Sequence, residues 1–269
     1  MTTLRTVAEI RQALEPLRRT SRIALVPTMG ALHAGHVALF GAAKRAADVV
    51  VASIFINPSQ FGDPRDLASY PRDEPKDARV AEAAGVDFIF APPVEEVYPP
   101  GYATWIHVDG VALGLEGDHR AGHFRGVATI CLKLFAIVMP DIAFFGQKDA
   151  QQVAVVKQLV RDLNVAVDIH VVPIVRDADG LALSSRNSRL SAEERVRALA
   201  IPRALDAGLA AYRARRDPVA AARAVLDGLE VDYVTVADYD GRPTLAIAAR
   251  VGRTRLIDNV ALEMEGALS

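Results

Sequence analysis

The chain of 269 residues has a single cysteine, almost no net charge and no long apolar run. The lone cysteine, Cys131, excludes an internal disulfide and a cysteine-based metal cluster, and its apolar neighbours Ile130 and Leu132 predict a place in the core. The 31 basic and 33 acidic residues leave a formal net charge of −2, so no overall field attracts a polyanion. We therefore do not expect nucleic acid as the main partner.

The distribution of apolar residues predicts neither a membrane span nor a signal peptide. The longest apolar stretch, residues 129–139, is too short to cross a bilayer and contains Lys133. Residues 1–19 carry charges throughout and lack the apolar segment of a signal peptide. We expect a soluble, cytoplasmic protein, and the length allows one large or two modest domains with a substantial core.

Short apolar runs alternate with helical patterns through the first two thirds of the chain. The alternation predicts right-handed crossovers and an α/β fold with a doubly wound parallel sheet. Residues 92–126 break the pattern and predict a long loop that is functional or disordered. The predicted strands are residues 23–26, 49–55, 88–90, 142–145 and 168–172, and the predicted helices follow Thr6 and span about 36–47, 77–84, 127–139 and 149–162.

The character of the sequence changes near Pro173. Residues 174–190 are polar and rich in turn formers, and Ser191 with Glu194 then forms a capping box ahead of a helix rich in alanine and arginine. A helix over about 218–229 and strands over 231–237 and 255–257 follow. We predict two domains, residues 1–174 with the parallel sheet and residues 175–269 as a smaller α+β domain that acts as a lid or supports a dimer.

A turn with two histidines follows the first predicted strand of this sheet. Gly30 and Gly35 have the spacing of a P-loop, but His36 and Val37 stand where that motif has lysine and serine or threonine. A helix N-terminus offers unpaired N–H groups and a positive dipole end to phosphates. His33 and His36, three residues apart, are therefore candidates to donate to phosphate oxygens. The alternative is a pair of solvated loop histidines.

Two further polar loops are predicted at the same edge of the sheet, because ligands of open α/β sheets lie at the carboxyl ends of strands. They are residues 57–60 and residues 146–149.

Six motifs in register carry a family resemblance, which runs in order from about residue 23 to 190 with one more match at 255–259. Together they resemble the pantothenate synthetase family, whereas the histidine motif alone marks a wider nucleotidyltransferase superfamily. The six are residues 27–36 (PTMGALHAGH), 56–61 (INPSQF), 66–72 (DLASYPR), 122–127 (GHFRGV), 144–152 (FFGQKDAQQ) and 183–187 (LSSRN).

The resemblance implies a Rossmann-like domain over residues 1–174 that binds nucleotide and pantoate, and an ATP-dependent ligase. Such a ligase joins pantoate to β-alanine through a pantoyl-adenylate and releases pyrophosphate and then AMP. It also implies a homodimer. We expect Mg²⁺ to be carried mainly on the ATP phosphates.

Site residues follow from the same resemblance. His33, His36, Lys148, Ser184, Ser185 and Arg186 would be catalytic. Nucleotide contacts would comprise these six and Met29, Gly146, Asp149, Val175 and Leu183. Pantoate would be held by Gln60 and Gln152, with Met29 lining the pocket. Further candidates are Asn57, near the ribose or the amine site, and Arg120 in the covering loop.

Each of these assignments has a plainer alternative. Lys148 and Asp149 alone would form a solvated pair at a helix start, residues 184–186 a simple turn, and Gln152 an exposed helix residue. Asp73, Glu74 and Asp77 suggest a metal cluster, but an acidic first helical turn commonly just complements the helix dipole. We expect no strong protein ligand for magnesium.

Other functions compete with the ligase hypothesis. A nucleotidyltransferase that leaves AMP or CMP on a phosphorylated alcohol would need a basic acceptor pocket. A nucleotide-binding regulator without turnover would not need two histidines, Lys148 and Arg186 together. A tRNA synthetase is disfavoured by the net charge and by the lack of a separate RNA-binding domain.

Overall fold

The computed structural model describes residues 1–239 and 241–264. The chain divides into two compact units: an N-terminal unit of Met1–Gln147 and Gln151–Pro173, and a C-terminal unit of Lys148–Ala150 and the chain from Ile174 onward. Residue 240 and residues 265–269, which the predicted C-terminal domain includes, lie outside the described residues.

The N-terminal unit is built on a six-stranded sheet, counted over the described residues, in which every pairing is parallel. Its strands are β1 (Thr2–Leu4), β2 (Ile23–Thr28), β3 (Val49–Ile54), β4 (Phe88–Phe90), β5 (Ile142–Gly146) and β6 (Asp168–Val172). Their order is β1-β4-β3-β2-β5-β6. From β2 the chain adds β3 and β4 on one side of the sheet and then β5 and β6 on the other. The topological switch point, where the strand order reverses, therefore lies between β2 and β5. This confirms the doubly wound sheet.

Helices cover both faces of this sheet. They are α1 (Val7–Leu14), α2 (Ala34–Ala46), α3 (Pro64–Ala68), α4 (Glu74–Ala83), α5 (Val94–Val97), α6 (Glu116–His119), α7 (His123–Val138) and α8 (Ala150–Asp162). Alternate strand residues point to opposite faces, so Leu25 and Val51 pack with α1, α7 and α8, while Val26 and Ala52 pack with α2 and α4. Both faces are thus buried, which explains the near-continuous apolar runs of β2 and β3.

The segment 92–126 is more regular than predicted. It contains α5 and α6, and α7 begins at His123, four residues before the predicted start at 127. Gly122 in the left-handed conformation, with φ of 75°, precedes the helix. Ile106 and Val108 pack against the core, so the interpretation of this segment as one long loop was wrong. Helix-disfavouring Gly126 in the first turn concealed the true start of α7.

The C-terminal unit packs helices on a small antiparallel sheet. Its elements are α9 (Ala192–Ala198), α10 (Ala200–Arg213), α11 (Pro218–Val225), β7 (Glu230–Tyr239), β8 (Arg242–Val251) and β9 (Thr254–Ala261), with the sheet order β7-β8-β9. The sequence pattern missed β8, whose centre from Leu245 to Ala249 is apolar at every position and has no alternation. Helix α11 ends before the predicted residue 229, and Gly228 follows with φ of 80°.

Cys131 lies in the core of the N-terminal unit, as predicted. It is 3% exposed, and burial raises the pKa of its thiol to about 12. Over the described part of the chain, every helix is either too short or too polar to span a bilayer.

Candidate active site

The two histidines of the predicted turn are held by the backbone at the start of α2. His33 is the N-cap, and its Nδ1 accepts a hydrogen bond from the Gly35 N–H at 3.1 Å. The Nδ1 of His36 accepts from the His33 N–H at 3.2 Å, and the ring centroids are 4.1 Å apart. A neutral imidazole that accepts through Nδ1 carries its proton on Nε2. Both rings therefore have their N–H donor on Nε2.

The charge of His36 is fixed by its surroundings. Burial and, second, the nearby His33 lower the pKa of His36 to about 3. The ring is therefore neutral at physiological pH and acts as a hydrogen-bond donor rather than as a cation.

Asp77, on α4, holds the backbone that leads into the histidine turn. It is 2% exposed, and its carboxylate accepts from the N–H groups of Ala31 at 2.9 Å and Leu32 at 2.7 Å. Gly30 has φ of 78°, and a Cβ there would lie 2.7 Å from Asp77 Oδ2. The carboxylate thus fixes the path of the turn, which corrects the interpretation of Asp77 as a mere complement to the helix dipole. No local pattern signals this contact across 46 residues.

The acidic residues near the start of α4 do not fit a magnesium site. Both oxygens of Asp77 bind backbone N–H groups, Asp73 caps α4 by accepting from the Lys76 N–H, and Glu74 pairs with Arg5. Within residues 1–239 and 241–264, no group of three or more histidine, cysteine or acidic side chains is arranged to hold a metal ion.

Asp77→Asn is expected to lower the free energy of unfolding by about 2 kcal/mol, because the amide offers one acceptor oxygen and turns its NH₂ toward a second N–H. Denaturant unfolding measures the loss. The control is Asp73→Asn, an exposed cap where asparagine performs as well as aspartate, so its effect should stay within about 0.5 kcal/mol. Equal stability of Asp77→Asn and the parent protein would refute this function of Asp77.

The loops after β2 and β3 bring together Met29 and Gln60, two of the predicted pantoate contacts. Asn57 caps a 3₁₀ turn at Pro58–Gln60, and the Nε2 of Gln60 lies 2.8 Å from the Met29 Sδ. Asn57 is 1% and Gln60 7% exposed. Because β2 and β3 are paired neighbours, their carboxyl ends place Met29 and Gln60 side by side.

Helix α7 packs against this 3₁₀ turn at its N-terminal end. A Cβ on Gly126 would lie 2.5 Å from the Ser59 carbonyl oxygen and 2.7 Å from the Gln60 Cα, so this close approach requires glycine. The Nδ1 of His123 donates to the Gln60 carbonyl at 2.9 Å, and Arg120 Nη1 donates to His123 Nε2 at 3.0 Å. Arg120 is thus connected to Gln60 through one imidazole.

Adjacent glutamines at the start of α8 have different surroundings. Gln151 is buried, and its side chain binds the backbone of residues 111–116. Its Oε1 accepts from the Glu116 N–H, and its Nε2 lies within 3.2 Å of the carbonyl oxygens of residues 111, 113 and 114. Gln152, the predicted pantoate ligand, is partly exposed. Gly146 ends β5, and a Cβ there would meet nothing within 4 Å, so the space beside it is open.

Lys148 belongs to the C-terminal unit. Its carbonyl accepts from Asn259 Nδ2 on β9 at 3.0 Å, and its Nζ lies 3.8 Å from Asp149 Oδ1. The Lys148 side chain is 19% exposed and that of Asp149 47%, so the lysine is too buried for a simple solvated pair. Burial raises the pKa of neighbouring Asp258, while hydrogen bonds from Arg176 and the charge of Lys148 oppose that rise.

The remaining predicted nucleotide contacts form one turn of the C-terminal unit. The Leu183 N–H donates to the Val175 carbonyl at 2.9 Å, which pairs these two residues. Ser184 caps a 3₁₀ turn at Ser185–Arg189 by accepting from the Arg186 N–H at 3.2 Å. Arg195 on α9 binds both Asp177 and Asp179, at 2.6 and 2.8 Å, and so holds the preceding loop.

Comparison with known sequences gives matches over nearly the whole chain. The family model described as pantoate-beta-alanine ligase matches residues 2–261. A pantothenate synthetase of Moorella thermoacetica is 49% identical over 98% of this chain and 99% of its own length. One from Herpetosiphon aurantiacus is 47% identical over 97% of this chain and its own full length.

Solved structures agree in fold as well as in sequence. The pantothenate synthetase of Thermus thermophilus superposes with a TM-score of 0.92 at 43% identity, covering 97% of this chain and 99% of that one. The pantoate-beta-alanine ligase of Francisella tularensis, described as complexed with beta-gamma ATP and beta-alanine, gives 0.85 at 34% identity and 98% of both chains. The family model, the curated relatives and the solved structures agree, so the chain belongs to the pantoate–β-alanine ligase family.

Proposed function

We propose that this protein condenses pantoate with β-alanine at the expense of ATP. A pantoate carboxylate oxygen attacks the α-phosphorus, forming a pantoyl-adenylate while the bond to pyrophosphate breaks. The β-alanine amine then attacks the acyl carbon, an amide forms, AMP leaves and the amine loses a proton. The family match over residues 2–261 supports this reaction.

One structural observation carries the proposal. The loop after β2 carries the imidazole N–H donors at the N-terminus of α2. The loop after the neighbouring strand β3 carries the neutral amide of Gln60, which contacts Met29. The first set suits the oxygens of a triphosphate, and the second suits a small hydroxy acid with an apolar body. Both substrates of the first step thus have matching groups at one edge of a single sheet.

Negative charge that develops on the leaving pyrophosphate needs fixed donors and cations. We assign His33 and His36 to triphosphate oxygens, and Lys148 with the turn of residues 184–186 to the remaining phosphate charge. Gln152 completes the pantoate contacts. The open space at Gly146, together with Asp149, Val175 and Leu183, is assigned to the nucleoside.

Magnesium enters this proposal with the nucleotide. The acidic side chains near α4 are engaged by backbone N–H groups and by Arg5, so none of them is assigned to the ion. Mg²⁺ keeps most of its ligands as waters and phosphate oxygens in such sites, and it shields the triphosphate charge.

Neutral groups at the acceptor position favour the ligase over its rival. A nucleotidyltransferase acting on a phosphorylated alcohol needs cations beside the acceptor, whereas the loop after β3 presents the amide of Gln60 and the loop after β2 the thioether of Met29. A homodimer, which the family resemblance implies, and a cytoplasmic location, which the sequence pattern predicts, are further parts of the proposal.

Pyrophosphate exchange into ATP tests the proposed reaction. Exchange is expected only when pantoate is present, because the adenylate must form before the step can reverse. AMP release should then require β-alanine. Exchange that proceeds equally without pantoate would refute the assignment, and exchange that responds to a phosphorylated alcohol instead would favour the nucleotidyltransferase.

A further inference from the structure

The hydrogen bonds around Asn57 fix which way its amide points. Its oxygen accepts from the Ser59 N–H, which can only donate, at 3.3 Å. Its nitrogen donates to the Gly126 carbonyl, which can only accept, at 3.1 Å. These two backbone partners leave one orientation for the amide.

The orientation of Asn57 in turn fixes that of Gln60. Asn57 Nδ2 donates its second hydrogen to Gln60 Oε1 at 3.0 Å. The oxygen of the Gln60 amide, and not its nitrogen, must therefore face Asn57. The Gln60 NH₂ group then points the other way, toward Met29. Because both hydrogens of the buried Asn57 amide are used inside the protein, this side chain suits a positioning role better than the direct contact with ribose or amine that the resemblance suggests.

Tyr98 connects this turn to a distant part of the N-terminal unit. Its hydroxyl donates to Asn57 Oδ1 at 2.9 Å and lies 3.2 Å from Ser59 Oγ, which itself donates to Asn57 Oδ1 at 2.8 Å. Ser59 is local to the turn and can move with it, whereas Tyr98 comes from 41 residues further along the chain. The Tyr98 ring stacks with Trp105 and meets Tyr102 edge-on, so the hydroxyl has a rigid support.

We propose that Tyr98 is a positioning residue for the hydroxy-acid site: through Asn57 it holds the Gln60 amide with its NH₂ group turned toward the substrate. This inference rests on the proposed function, because it takes Gln60 as a pantoate ligand. A donor fixed in this direction favours a substrate with an acceptor oxygen at that point. Without the Tyr98 hydroxyl, Asn57 keeps its two backbone partners but loses its link to the aromatic cluster, so the Gln60 donor is held less precisely and the preference weakens.

Tyr98→Phe tests the role, since it keeps the ring and removes only the hydroxyl. We expect the KM for pantoate to rise about fivefold, with kcat within about twofold and the KM values for ATP and β-alanine unchanged. The matched control is Tyr102→Phe, which removes a hydroxyl from the adjacent ring of the same cluster. That variant should leave all three KM values unchanged.

A double-mutant cycle with Gln60→Ala separates positioning from a general structural effect. Gln60→Ala alone should raise the KM for pantoate, and adding Tyr98→Phe to it should have no further effect on that KM. A fivefold effect that persists without Gln60, or an equal rise in the KM for ATP, would overturn the inference.

The two proposals fail in distinguishable ways. If Gln60→Ala raises the KM for pantoate and Tyr98→Phe does not, only the role of Tyr98 is refuted. If Gln60→Ala leaves that KM unchanged, Gln60 is no pantoate ligand and both the site assignment and the inference fall.

Discussion

Lys148→Ala is expected to slow pantoate-dependent pyrophosphate exchange by about a thousandfold while leaving the fold intact. The expected loss is this large because one fixed cation next to a transferring phosphoryl group stabilises the transition state by several kcal/mol. The effect on the rate is similar to the smallest effects of an arginine finger. Backbone support is retained, since Asn259 binds the carbonyl of residue 148 rather than its side chain. Single-turnover formation of the adenylate measures the effect directly.

Lys157→Ala is the matched control for this variant, because it removes an equal charge from α8, the helix that follows Lys148. Its exchange rate should stay within about twofold of the parent rate. Thermal unfolding of both variants shows whether folding is preserved. A Lys148→Ala protein that retains the parent rate would mean that the lysine belongs to the framework of the C-terminal unit and not to the chemistry.

His36→Asn is expected to reduce adenylate formation by about a hundredfold with little change in stability. The asparagine Oδ1 can replace Nδ1 as acceptor for the His33 N–H, but no donor remains at the position of Nε2. Loss of one preorganised donor to a phosphate typically has an effect of this size. The rate of pyrophosphate exchange and the unfolding midpoint together test both halves of this expectation.

His36→Gln is the complementary variant, because its longer amide reaches toward the Nε2 position and abandons the contact with the turn. It should retain more activity and less stability than His36→Asn. If both variants exchange pyrophosphate at the parent rate, His36 has no part in holding the triphosphate.

The pH dependence of stability offers a second measurement on the same variant. With a pKa of about 3 in the folded protein and an ordinary value of about 6.5 when unfolded, His36 binds its proton more readily in the unfolded chain. The contribution of the neutral ring is therefore complete above about pH 6.5 and is lost as the pH falls toward 3. The parent protein should lose up to about 1.4 kcal/mol per pH unit more than His36→Asn across that window.

The sequence was sufficient for the parts of the fold whose signals are local. Apolar runs marked β2, β3 and β5, and the turn residues after them located all three polar loops at the carboxyl edge of the sheet. The capping box of Ser191 and Glu194 also formed as predicted. By contrast, β8 lacks an alternating pattern, and β1 consists of three residues that become a strand only by pairing with β4.

Contacts between distant residues were beyond local prediction. Asp77 binds a turn 46 residues earlier, and Tyr98 reaches Asn57 across 41 residues. Neither residue belongs to a motif that names a chemical role, and both act by fixing the geometry of residues that do. Gln151 shows the same limit: it stands beside Gln152 in the same motif, yet it faces the interior and holds the segment 111–116.

The assignment of residues 148–150 to the C-terminal unit limits how members of this family can be recombined. The chain on either side of this tripeptide belongs to the other unit, and β9 supplies the amide that holds the Lys148 carbonyl. A chimera made by a single crossover at 173/174 would therefore pair the lysine of one parent with the asparagine strand of another. An exchange that keeps each unit intact needs three junctions, at 147/148, 150/151 and 173/174. A single crossover therefore preserves the hydrogen bond to the Lys148 carbonyl only where both parents have the same β9 strand.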